Sequence, residues 1–285
     1  MKQIKTLLAA LFVAMAGTAS AQTKNYVHIT LDDNSVVHYS QDRIQSMIID
    51  TETPDVIADY VEFTDGTNTV MVATMNLGAT SVANGTASYG DYYAWGATEP
   101  FCTVDQSTGT VNAKYAGGYS HDNAPYRDKD ASAYTKYTGT SDATLEAADD
   151  VVKVKKPGYH MPTQAELQTL IDACGGSFSG STTTYDTKGI YWVAGGDAAV
   201  EIGGDAYSVN GMLFVQDATH HVFFPAAGFV SDTDLRNAGS NGYYWSSSLR
   251  TDDTDNAYSL SFSSSGVDPD NLNRHVGFPV RPFKD

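Results

Sequence analysis

The chain has 285 residues, 41% of them hydrophobic and 18% charged, with 17 Lys and Arg against 34 Asp and Glu and a net charge of −17. That length allows one large core, or a core with a small module beside it. So acidic a surface repels phosphate backbones and anionic lipid, which excludes nucleic acid as a partner, and no apolar run reaches the roughly 20 residues of a membrane-spanning helix.

Residues 1–21 read as a secretory signal. Lys2 and Lys5 form the basic start, Leu7 to Ala16 the short apolar run, and Ala19-Ser20-Ala21 the small-residue cleavage site before Gln22. No Cys follows the apolar run, so no lipid anchor is encoded there. Cleavage removes both lysines and no acid, leaving 264 residues and a net charge of −19. The expected destination is the periplasm, the cell surface or the medium.

Residues 22–55 read as a small β module and linker. Tyr26 to Leu31 alternates, Asp32-Asp33-Asn34-Ser35 is turn chemistry, and Val36 to Tyr39 returns. Ile44, Met47 and Ile48 extend it as a short helix or third strand, and Pro54 marks the linker. The main domain is expected over 56–285. It opens with strands at Tyr60–Phe63 and Val70–Met75 around Asp65-Gly66. Residues 103–150 read as long loops packed by Tyr115, Tyr119, Tyr134 and Tyr137.

The clearest helix is Gln164–Cys174. Thr163 and Glu166 form a capping box, Gly175-Gly176 ends the helix, and Leu167, Leu170, Ile171 and Cys174 make one apolar stripe. Beyond it the chain reads as strand and turn: Met212–Val215, Val222–Phe224, Tyr243–Ser248, Ala257–Phe262 and Val276–Phe283. The last strand is expected to return beside Tyr60–Met75.

Six segments appear in order: Val72 to Ala79, Tyr89 to Gly96, Gly158 to Leu167, Phe224 to Gly228, Gly242 to Ser248, and Gly277 to Pro282. Together they resemble the Fibrobacter succinogenes major paralogous domain (FISUMP) family, common in exported proteins of gut Bacteroidetes. Val72 and Tyr159 stand where that family often has Trp. The resemblance implies an α+β, C-type-lectin-like fold with twisted antiparallel sheets and few helices, preceded here by the N-terminal β-hairpin. It also implies kinship with formylglycine-generating enzymes and with retroelement-diversified variable proteins, whose tails Val267 to Arg274 resembles.

Short polar side chains on loops held by a scaffold can form a recognition surface. On that ground the candidate ligand-binding residues are Asn237, Asn241, Arg250, Asp252, Asp255, Asp270, Asn271 and Asn273. Plain polar hairpin loops are the alternative. Trp95 and Trp245 read as core or as a ligand platform, and Arg281 as a buried salt bridge or a ligand contact. His160, just before the helix cap, reads as structural. Cys102 and Cys174 are either one disulfide or two buried thiols, and they match no active-site cysteine pair of the formylglycine type.

No cofactor is assigned. Calcium stays open at Asp268-x-Asp270-Asn271-x-Asn273 and Asp252-Asp253-x-Asp255-Asn256, where carboxylate and amide oxygens suit a hard cation. The expected function is a non-catalytic, exported ligand-binding or adhesion module with an extracellular protein or glycan as partner. The alternatives are a structural subunit of a surface assembly and a formylglycine-generating-type enzyme.

Overall fold

The computed structural model describes residues 60–100, 120–181, 187–195, 207–232 and 234–285, together with the backbone of strands 26–30, 36–40, 102–104, 111–113, 200–202 and 205–206. The signal segment, the linker, and Tyr115 and Tyr119 lie outside the described residues. Two compact units divide the chain, Met1–Val56 and Ile57–Asp285. In the first, β1 (Tyr26–Thr30) pairs antiparallel with β2 (Val36–Ser40), Tyr26 opposite Ser40.

In the second unit, β3 (Tyr60–Thr64) and β4 (Thr69–Ala73) form a hairpin. The short helix α1 (Val151–Lys155) is capped by Asp150, whose carboxylate accepts from Val152 N and Lys153 N, and leads to β5 (Tyr159–His160). Helix α2 (Gln164–Ala173) carries the expected capping box: Thr163 Oγ1 accepts from Glu166 N at 3.2 Å and Glu166 Oε2 from Thr163 N at 2.7 Å. Gly175 and Gly176 end it at φ of 103° and 79°, where a side chain is strained. Leu167, Leu170 and Ile171 are buried, as is Cys174, and they pack the helix against β3 and β4.

A four-stranded sheet follows: β6 (Phe178–Ser181), β7 (Gly189–Val193), β8 (Gly211–Val215) and β9 (His221–Pro225). Every residue of β7 and β8 is buried, so both of their faces are covered. A second sheet joins β10 (Asn241–Leu249), β11 (Asn256–Ser263) and β12 (Gly266–Asn273). Finally β13 (Phe283–Lys284) slots between β4 and β5, Phe283 opposite Val72 and His160, so the unit's end lies beside its beginning as expected.

The expected α+β, C-type-lectin-like class is corrected. The described residues hold two α-helices, of five and ten residues, and the rest of the regular structure is mostly strand divided among several small sheets. Only one stretch of the sequence sustains a long helical period. Gly, Ser, Thr and Asp turns break the β-branched and aromatic runs into short strands. Three local expectations are corrected too. β6 and β7 pair parallel, not antiparallel. Residues 276–282 are no continuous strand: Pro279 and Pro282 lack the N–H a ladder needs, and Gly277 and Phe278 make only single bridges, to Val230 and Tyr93. Asp268 to Asn273, read as loop, is the edge strand β12, where Pro269 is tolerated because among the described residues no further strand pairs beyond it.

Candidate functional site

The register of β10–β12 decides where the candidate residues go. Between Trp245 and Leu249 the ladder shifts, so Ser246–Ser248 bulge away from β11. Ser247 N donates to Pro162 O at 2.7 Å and Ser247 O accepts from Leu145 N at 2.9 Å. The bulge thus fastens the far end of β10 to the start of α2, and the turn Arg250–Asp255 projects beyond it.

In that turn Arg250 grips Asp252 with two bonds, Nε to Oδ1 at 3.0 Å and Nη2 to Oδ2 at 3.1 Å, and gives Nη1 to Asn271 Oδ1 at 2.8 Å. The Asp252 bonds push the guanidinium pKa up, and the guanidinium holds Asp252 below the usual carboxylate range. Asn256 Nδ2 donates to Asp253 Oδ2 at 2.6 Å. Asp255, half-exposed, stands 3.6 Å from Arg127 Nη1. Asn273, also exposed, ends β12 opposite Asn256. Arg250, Asp252, Asp255, Asn271 and Asn273 therefore belong to one end of the sheet.

Asn237 and Asn241 do not. They lie at the other end of β10, roughly 25 Å away at ~3.3 Å per residue. Asn237 is a turn former at φ 58°, and its carbonyl accepts from Asn241 N at 2.9 Å. Asp270 is one strand residue from Asn271 and so faces the opposite side of the sheet. The same alternation separates Asp268 and Asp270 from Asn271 and Asn273, so that calcium candidate does not converge. Among the described residues no three His, Cys, Asp or Glu side chains are placed to hold a metal ion.

Beneath the turn lies the segment Ser120–Tyr137. Tyr126 and Tyr137 both adopt positive φ, 60° and 59°, which costs energy for bulky residues. Asp149 holds them there. Tyr126 Oη donates to its Oδ1, and Tyr137 Oη and Lys136 Nζ reach Oδ2 at 2.5 and 2.7 Å. Burial works against the Asp149 carboxylate, but these bonds outweigh it and keep its pKa below the aspartate range. Burial and the Asp149 bond push Tyr137 up to about 12.

Arg274 ties this segment to the sheet. Completely buried, it donates Nη1 to Tyr137 O at 3.1 Å and Thr254 O at 3.2 Å, and Nη2 to Lys136 O at 3.3 Å. Its guanidinium lies 3.8 Å from the Tyr134 ring centre and 4.7 Å from that of Trp95. Burial pulls its pKa down to about 10. Around Tyr134 gather side chains with buried polar atoms that have no hydrogen-bond partner: Arg127 Nε, Tyr134 Oη, Arg274 Nε and His275 Nδ1. Each such atom costs about 1–3 kcal/mol.

Trp95 and Trp245 are core. Trp95 Nε1 donates to Ser246 O and Trp245 Nε1 to Tyr93 O, each at 2.8 Å, and Trp245 stacks on Phe278. Arg281 is fully buried, and among the described residues it makes no salt bridge. Nη1 donates to Ala73 O and Nη2 to Phe223 O, both at 2.9 Å. His160 joins Glu166 and Asp285, at 2.8 and 2.7 Å. Cys174 is a free, buried thiol, and burial raises its pKa well above the thiol range.

The sequence reading passed over Arg127, Tyr134 and Arg274 as site residues. One signal was available: in so acidic a chain, Arg274-His275 directly follows the Asn-rich strand. The partners 120–137 are distant in sequence and carry no periodicity that places them. A family model described as "Domain of unknown function (DUF8237)" matches residues 214–283, from β8 through β13. No curated protein and no solved structure matches the chain.

Proposed function

We propose that the chain is an exported, non-catalytic ligand-binding or adhesion module whose contact surface is the sheet end formed by Arg250–Asp255, Asn271 and Asn273 with the segment 120–137. One observation carries this reading. Arg274, the Asp149 network and the β10 bulge fix the backbone beneath that end, so exposed polar groups are presented on a frame that does not depend on them. The signal-like start and the FISUMP-like motif order support export. Burial of the Cys174 thiol argues against thiol chemistry of the formylglycine type.

The test is a glycan array and a pull-down with the full chain and with variants. Arg250→Ala combined with Asn271→Ala and Asn273→Ala is expected to weaken capture at least tenfold. Arg250→Ala alone, which removes three partly exposed side-chain bonds, should cost about 1 kcal/mol or less. Asn237→Ala is expected to leave capture unchanged, since Asn237 lies at the other end of the sheet. Capture that survives the triple variant sinks the proposal. Diversification of Val267 to Arg274 has its own test in the coding DNA, a neighbouring reverse transcriptase with a near-copy repeat differing only at adenines.

A further inference from the structure

The unpartnered atoms around Tyr134 are of one chemical kind. Two are guanidinium Nε–H donors, of Arg127 and Arg274; one is the Tyr134 hydroxyl; one is His275 Nδ1, which donates in one tautomer and in the imidazolium. Arg127 lies 5.1 Å and Arg274 3.8 Å from the Tyr134 ring centre, and the His121 ring lies 6.0 Å from it and 5.1 Å from that of His275. The Arg127 side chain is 6% exposed, Tyr134 8%, and Arg274 not at all. The described residues place one carboxylate against Arg127, that of Asp255, at 3.6 Å. That is longer than a hydrogen-bonded guanidinium–carboxylate pair. Asp255 is 54% exposed, so it stands at the mouth of the cluster, half in water.

Buried donors that lack acceptors, in a place with two cationic groups and one loosely held carboxylate, define what fits: a small group rich in acceptor oxygens and negatively charged. We infer that Arg127, Tyr134, Arg274 and His275 form an oxyanion-binding site, gated by Asp255 and His121, that takes the carboxylate or sulfate group of an acidic saccharide or the free anion. Each guanidinium offers its free Nε–H as a charged single donor, and a desolvated site strengthens each bond. The incoming group displaces Asp255 from Arg127. Rested on the reading above, the inference names the ligand class of that surface. It also accounts for how so acidic a protein holds an anion: the cations are buried beneath the acidic turn, and steering comes from close range only.

His275 adds a pH dependence. Burial and the neighbouring His121 hold its pKa below the usual histidine range, while Asp232 and Asp255 favour its protonation and Arg127 opposes it. An anion bound beside it favours the proton, so binding tightens as the pH falls from 7.5 toward 5.5.

The experiment follows the imidazole signals of His121 and His275 by NMR in the full chain during titration with sodium sulfate, sodium glucuronate and glucose. Sulfate and glucuronate are expected to shift the His275 signal saturably, with midpoints in the millimolar range, and glucose is not. Glucuronate binding tighter than sulfate identifies the saccharide as the source, and equal affinity identifies the free anion. Arg127→Gln should weaken both at least tenfold, with His121→Ala as the second variant should the first misfold. Asp255→Asn should tighten both by two- to fivefold, an effect that a purely structural cluster does not produce. Lys129→Ala, an exposed lysine on the same segment, is expected to change nothing. Absence of saturation, equal response to glucose, or unchanged affinity in Arg127→Gln overturns the inference. If sulfate titrates His275 while the full chain captures no partner, the recognition reading falls and the oxyanion site stands.

Discussion

Arg274 and Arg281 are seven positions apart, and both are fully buried cations with no ion pair among the described residues. Their surroundings differ. Arg281 bonds two carbonyls from regions far apart in sequence, Ala73 at the end of β4 and Phe223 in β9, and lies over the Phe224 ring at 4.3 Å. It sits where two sheets meet. Arg274 bonds three carbonyls of turns, at Lys136, Tyr137 and Thr254, and lies among aromatic rings near the surface. Burial pulls both pKa values down to about 10, so desolvation alone does not distinguish them. What distinguishes them is the thing held. One guanidinium locks the core, and the other locks a loop cluster onto a finished core.

That contrast is open to direct challenge. The largest effect is expected from Arg281→Ala, which strands the Ala73 and Phe223 carbonyls and leaves a cavity. It should cost about 3–5 kcal/mol in urea unfolding. A loss below about 1 kcal/mol would mean that the carbonyls find other donors and that Arg281 does not lock the sheets. Arg274→Met keeps most of the volume and removes three bonds to turns that water can reach. A smaller loss of about 1–3 kcal/mol is expected. Hydrogen exchange should speed up over 134–137 and 254–256 but not in β7 or β8. Uniform acceleration across the domain would erase the distinction between the two arginines.

The smallest effect sharpens the comparison with a cation that does have carboxylates. His160 bridges Glu166 and Asp285, and the Glu166 bond chiefly raises its pKa above the ordinary 6.5. Its stabilisation is therefore fully present below about pH 6.5 and fades as the pH rises through the raised native value. For Glu166, burial is outweighed by the bonds from His160 and Thr163, so its pKa is lowered. Its share is present above the unfolded value and is lost as the pH falls through the lowered one. Between those limits the wild type should melt higher than His160→Gln, and the gap should narrow toward pH 9. A gap independent of pH across that range would show that the bridge contributes only by packing.

How much of this was legible in the sequence follows from how local each cause is. Helix α2 was readable almost to the residue, because the Thr163–Glu166 box, the Leu167–Leu170–Ile171 stripe and the Gly175-Gly176 stop all act within one or two turns. The strands β8 to β11 were readable as short apolar and aromatic runs between turn residues, with clear alternation in β11. The fold class was not, because strand order depends on pairings such as the parallel one of Phe178 with Ile190, which nothing local signals. β12 was missed because Asn, Asp and Pro signal turns. On an edge strand the same residues are admissible, since one side needs no ladder. In the candidate site, Arg250, Asp252 and Asn271 were found from polarity and belong together. Arg274 and Tyr134 were not found, because their role lies in bonds to carbonyls and rings over a hundred positions away.

Pro269 on β12 has one more consequence. A bare outer strand is a template: a neighbouring copy can lay its own strand alongside, and a third can follow, until a filament grows. Here the exposed row carries Asp268 and Pro269 with Asp270 behind them. A second chain approaching edge to edge brings like charges together and finds no N–H at the proline. For molecules crowded side by side, this row works against edge-to-edge strand pairing beside the turn Arg250–Asp255, in the manner of a chain terminator.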